Sequence, residues 1–170
     1  FSAPDWSGPL QLQGPDWCGC IITTRARGTA NAKRWRRGAN SGRDCQGKVF
    51  KVAAYFNWER PERCHQTFRQ ILHVKQALGY PAILVADFNK PQLELEELGW
   101  PALFRGHTVA PNVSFTCASP KTSRLIDFAL VSWQLAGAVT INPYYSVPWG
   151  PHIGLEVILK LTMENLWGPQ

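Results

Sequence analysis

Pro81-Ala82-Ile83-Leu84-Val85-Ala86-Asp87-Phe88-Asn89 is a short apolar run that enters through a proline and leaves through two polar residues. A run of this length, bounded by turn-forming residues and with no polar residue inside it, reads as a strand buried on both faces. Upstream, Pro61 to Leu78 carries Cys64, Phe68, Ile71, Leu72 and Leu78 at helical spacing. Pro61 suits the first helical turn and Gly79 the exit. Further upstream, Lys48 to Phe56 alternates, with Val49, Ala53 and Tyr55 on one face and Phe50, Val52, Ala54 and Phe56 on the other. Both faces are apolar, as expected of a central strand. Downstream, Leu93 to Leu98 reads as a helical turn, Arg124 to Ser132 as a strand, and Gly154 to Leu161 as the last strand, with Leu155, Val157, Leu159 and Leu161 on one face. Strands alternating with a strong helix, and no internal linker, predict one α+β domain with mixed sheets. Its expected span is 18–163, after an irregular Pro-, Gly- and Trp-rich segment (1–17) and before a short tail (164–170).

The 170 residues suit a single domain, and with 45% hydrophobic against 18% charged residues the chain is globular rather than disordered. No run approaches the roughly 18 apolar residues of a membrane span, so no membrane association is expected. Phe1 to Leu10 lacks a basic region followed by an apolar one, so no signal peptide is read there. The first residue is Phe rather than Met, which is expected of a portion of a longer polypeptide with further domains. The five cysteines, Cys18, Cys20, Cys45, Cys64 and Cys117, are odd in number and contain no C-x-x-C pair. A metal cluster of Cys18, Cys20, Cys64 and His65 is conceivable. Buried free thiols in a reducing, intracellular compartment, the nucleus included, are the preferred reading.

Net charge is +6 and unevenly placed. Arg25, Arg27, Lys33, Arg34, Arg36, Arg37 and Arg43 fall in one acid-free stretch, while the remaining 11 basic and 12 acidic residues sum to −1. Such a segment attracts a polyanion, and Arg34, Arg36 and Arg37 are the candidate nucleic-acid-binding residues. The plainer reading is a solvated loop.

Polar residues gather at the ends of the apolar segments. Tyr55 closes one strand, Asp87 and Asn89 follow another, Asp127 interrupts Leu125-Ile126-Asp127-Phe128-Ala129-Leu130, and His152 precedes the last strand. Strand ends bring side chains to one rim of a sheet, where sites form. Two carboxylates, an amide, an imidazole and a phenol together could activate water and hold a phosphate. Singly, each has a structural explanation. Asp87 and Asn89 could form an Asx turn, His152 could be a loop histidine, and Tyr55 a core aromatic with a polar tip. Asp127 is harder to explain away, because a carboxylate in an apolar strand costs desolvation energy unless paired.

The order of these elements resembles the endonuclease/exonuclease/phosphatase superfamily, the DNase I-like fold. Ile83 to Asn89 is similar to its G-D-F-N element, Lys51 to Tyr55 to its strand ending in a phosphate-facing tyrosine, Ser123 to Ser132 to its S-R-I-D-Y-V-L-V-S strand, and Gly150 to Leu155 to its S-D-H-x-P-V element. The wording most resembles endonuclease domains of retroelements. The resemblance implies a four-layer α/β/β/α sandwich, here lacking its first strands. It also implies a magnesium-dependent phosphodiesterase acting on nucleic acid. His152 would lie near the scissile phosphate, Asp127 would fix its tautomer, Asp87 would orient or deprotonate water, Asn89 would position that carboxylate and the phosphate, and Tyr55 would donate to a phosphate oxygen. Mg2+ would neutralise the leaving oxygen.

Three departures weigh against full activity. The family's asparagine and metal-binding glutamate have no match in Phe1 to Trp17, Pro151 stands in place of a site aspartate, and Ala86 replaces a glycine. Three functions are therefore weighed: a metal-dependent nuclease domain, incomplete or inactive as this chain; a non-catalytic remnant that binds nucleic acid through the basic stretch; and a phosphatase of the same fold acting on another phosphoester. Trp35, Trp58, Trp100 and Trp149 are candidates for base stacking.

Overall fold

The computed structural model describes residues 24–26, 49–148 and 150–160. Nine strands and three α-helices are present among them: β1 (Thr24–Ala26), β2 (Phe50–Tyr55), α1 (Pro61–Leu78), β3 (Ala82–Asp87), α2 (Gln92–Glu97), α3 (Trp100–Phe104), β4 (Gly106–Val109), β5 (Cys117–Ala118), β6 (Ser123–Arg124), β7 (Asp127–Ser132), β8 (Val139–Tyr144) and β9 (Gly154–Leu159). They form a four-stranded mixed sheet in the order β2-β3-β7-β4, a second sheet β1-β9-β8, and a two-stranded ribbon β5-β6. The fold is α+β with mixed sheets. Arg34, Arg36, Arg37, Cys18, Cys20, Cys45, Trp35, Trp149, Leu161 and the expected end segments lie outside the described residues.

β3 occupies the middle. It runs parallel to β2 and antiparallel to β7, and all six of its residues are buried. Ala82, Leu84 and Ala86 pack under the helices with Ala54, Phe68, Trp100 and Phe104. Ile83 and Val85 face the second sheet with Ala129, Val131, Ile141 and Val157. A strand covered on both sides has no polar face, which is why its sequence reads as one apolar block. Helices, first sheet and second sheet thus stack as three layers among the described residues.

α1 forms where expected. Pro61 sits in its first turn, and Gly79 closes it at φ 67°, donating its N–H to the Lys75 carbonyl at 3.0 Å. Its buried stripe is Cys64, Phe68 and Ile71. Leu78, expected on that stripe, is 42% exposed.

The strand expected over Arg124 to Ser132 is two elements. Ser123–Arg124 pairs with β5, and the main sheet resumes only at Asp127. The cause is Thr116, whose Oγ accepts the Ile126 N–H at 3.1 Å and the Asp127 N–H at 2.9 Å. These two amides are therefore spent on a side chain, and the chain turns from ribbon to sheet. Asp127 consequently opens β7 instead of interrupting a strand. Pro143 lies in β8, an edge strand of its sheet among the described residues, where a missing N–H costs no ladder bond.

Candidate active site

Register builds the site. Asp87 is the cross-strand partner of Asp127, and Tyr55 the partner of Asp87, so these residues form one row across β2, β3 and β7. Alternation aims the two carboxylates the same way as Val85 and Ala129, toward the second sheet, at the rim between the layers. The next residue on each strand, Phe56, Phe88 and Phe128, points the other way into the helix-side core. One alternating pattern therefore anchors the rim and gathers its polar row on one face, with both carboxylates buried.

His152 reaches this row from the segment before β9. That segment is strapped to the ribbon by an isolated bridge between His152 and Cys117. The Ala118 N–H donates to the Pro151 carbonyl at 3.1 Å and the Ile153 N–H to the Thr116 carbonyl at 2.7 Å. The imidazole Nδ1 lies 3.1 Å and 3.3 Å from the two Asp127 oxygens. A carboxylate can only accept, so Nδ1 carries the proton and Nε2 is left for other partners. Nε2 stands 3.8 Å from Asp87 Oδ2.

Asn89 serves the site differently from expectation. Its backbone N–H donates to Asp87 Oδ1 at 2.9 Å, closing an Asx turn, while its side-chain Nδ2 donates to the Phe56 carbonyl at 3.1 Å. Its φ of 50° is the left-handed conformation that asparagine tolerates. The Asx turn and the site are the same structure. Tyr55 is 39% exposed at the rim.

The buried carboxylates repel each other. Burial first, and the Asp127 charge second, push the Asp87 carboxyl up from 3.8 to about 6, against the pull of the Asn89 N–H, His152 and Arg124. His152 is raised, mainly by its hydrogen bond to Asp127, with burial opposing. One ligand atom from each of Asp87, Asp127 and His152 lies within 4.8 Å of the others, so the cluster could hold a metal ion.

A stability consequence follows from the sign of the Asp87 shift. Its folded proton affinity exceeds the unfolded value, so its contribution is fully present below pH 3.8 and is lost as pH rises through about 6. Moving the carboxyl that far costs the ionised fold about 3 kcal/mol. Asp87→Asn keeps an acceptor for the Asn89 N–H and cannot ionise. The variant is expected to be about 1–3 kcal/mol more stable than wild type at pH 8, with most of that gain absent at pH 4. Urea unfolding at the two pH values checks this; a less stable variant at pH 8 removes the idea of a strained carboxylate.

No protein-family model matches this chain, and neither does any curated protein. Tyr55, Asp87, Asn89, Asp127 and His152 converge on one rim. Trp100 does not join them; it is fully buried, stacked on Phe68 at 4.0 Å. Trp58 is half-buried, its indole N–H donating to the Phe88 carbonyl at 2.6 Å. Two residues of the site had no sequence signal. Thr116 is wholly buried and ties the start of β7 to the His152 strap. Cys117 lies beside the carboxylates, and its thiol is raised by burial first and then by the charges of Asp127 and Asp87. A hydroxyl ten residues from its amide partner leaves no periodic trace.

Proposed function

We propose that this chain is part of a metal-dependent phosphodiesterase domain of the endonuclease/exonuclease/phosphatase type, acting on nucleic acid. In this reading its acid–base groups are assembled, while the family's metal-binding glutamate and the aspartate that Pro151 replaces are unmatched. The observation that carries the reading is His152 held between two carboxylates, Nδ1 on Asp127 at 3.1 Å and Nε2 toward Asp87 at 3.8 Å. Asp127 keeps the proton on Nδ1 and stabilises the imidazolium, which presents Nε2–H to a phosphate oxygen. Asp87, with a proton affinity near 6, ionises close to neutral pH and suits removal of a proton from water. Tyr55 adds a phenol at the same rim. The Asn89 N–H, rather than its amide side chain, orients Asp87. The helix layer and two sheets would be three of the four layers of the DNase I-like sandwich.

The donor set fits magnesium in part. Asp127 is occupied by the imidazole, so Asp87 is the described oxygen ligand best placed to hold the ion, with waters and substrate oxygens completing its shell. When bound, the ion would supply charge neutralisation at the leaving oxygen. Pro151, where the family has aspartate, gives no carboxylate; its carbonyl instead secures the strap through Ala118.

The test is nicking of supercoiled plasmid by the chain at millimolar Mg2+ or Mn2+. Slow nicking that rises with metal concentration is expected, with a loss of about 10²–10⁴-fold in His152→Ala. Plasmid binding without nicking at any metal concentration would overturn catalysis. It would favour the second reading, a non-catalytic nucleic-acid binder using Arg34, Arg36 and Arg37, whose affinity falls steeply with salt.

A further inference from the structure

A phosphodiester bound at this rim lies close to Asp87 and Asp127, and two carboxylates repel it. A cation is needed on the substrate side, and the geometry places one there. Cys117 is the register partner of Arg124 across the ribbon and of His152 across the isolated bridge. Directly opposed residues of neighbouring strands project to the same face, so Arg124, Cys117 and His152 form a second row, lying across the first. Arg124 Nη2 donates to the Asn89 carbonyl at 3.3 Å, two residues beyond Asp87. The guanidinium is exposed, and this bond uses one of its five N–H donors. An arginine free in solvent would serve solubility equally well in any direction; this one is tethered to the turn that carries Asp87.

We propose that Arg124 is the phosphate-binding residue of this site, its tethered guanidinium taking the non-bridging oxygens of a phosphodiester whose ester bond faces His152. The inference rests on the phosphodiesterase reading for its substrate class, but its central test needs no turnover. A guanidinium fork matches two phosphate oxygens, whereas lysine offers a point charge. Diethyl phosphate, titrated without metal and followed through the His152 and Arg124 side-chain NMR signals, is the probe. Arg124→Gln is expected to weaken its binding at least 10-fold, and Arg124→Lys to recover part of the loss. The side chain is exposed, so both variants should fold. On plasmid, Arg124→Gln should raise KM with little change in kcat and reduce the salt dependence of binding by about one counterion. Unchanged diethyl phosphate binding in Arg124→Gln, or no binding to wild type, overturns the proposal. If binding falls as expected but wild type never nicks, Arg124 stands and the catalytic reading fails. If wild type nicks and Arg124→Gln binds and nicks like it, the reverse holds.

Discussion

Trp100→Ala is expected to cost about 3–5 kcal/mol of stability, a large share of the roughly 5–15 kcal/mol that holds a domain folded. Trp100 is 1% exposed. Its ring lies parallel to Phe68 at 4.0 Å and edge-on to Phe56 at 5.0 Å and Phe88 at 6.4 Å. Removing it opens a void with no neighbour able to fill it, because Phe68, Phe56 and Phe88 are fixed in α1, at the end of β2 and at the end of β3. Each stacked or edge contact adds about 0.5–1.5 kcal/mol beyond the area buried. The void lies beneath the candidate site, since Phe56 follows Tyr55 and Phe88 follows Asp87. Denaturant unfolding should show a lower midpoint with a similar slope, and Trp100→Phe should recover much of the loss. A deficit under about 1 kcal/mol would mean that the helix layer is not packed around this ring.

That same aromatic row explains what could be read in advance. β3 and α1 were legible because each obeys one rule throughout: an apolar block for a strand covered on both faces, and a stripe of Cys64, Phe68 and Ile71 for a helix on a sheet. The start of β7 was not legible. Leu125, Ile126, Phe128 and Ala129 are as apolar as a continuous strand requires, and the interruption comes from the Thr116 hydroxyl, distant in sequence. β8 was missed because Asn142, Pro143 and Tyr144 break its alternation, which an edge strand tolerates. The site residues could be named one by one, and their places at strand ends led one to expect a common rim; the register that produces it could not be read. The register that sets Asp87 opposite Asp127 is fixed by packing of Leu84 and Leu130 on one face and Val85 and Ala129 on the other. Asn89 is the instructive case. It follows Asp87 at the rim, but its left-handed backbone turns the amide to Phe56 and leaves the N–H to meet Asp87.

Asp127→Asn is expected to cost as much activity as His152→Ala, and it separates charge from shape. The asparagine fills the same volume, and the Thr116 hydroxyl still accepts the residue 127 N–H, so the start of β7 should hold. What disappears is a negative charge that acts in two directions. It raises His152, chiefly through the hydrogen bond at Nδ1, and it raises Asp87 by repulsion, second only to burial. On the proposed mechanism nicking needs Asp87 ionised and His152 protonated, so the acidic limb of the pH profile reports Asp87 and the alkaline limb should lie above the ordinary histidine value of 6.5. Without the Asp127 charge both limbs should move to lower pH. Activity at the optimum should fall about 10²–10⁴-fold, because the imidazolium loses its stabilising partner and the ring its fixed tautomer. The pH profile of nicking, read beside the NMR titration of the His152 ring, measures both shifts at once. Limbs that stay in place, or activity within a few-fold of wild type, would mean that Asp127 is a buried structural carboxylate, and that the convergence of imidazole and acid at this rim performs no proton chemistry.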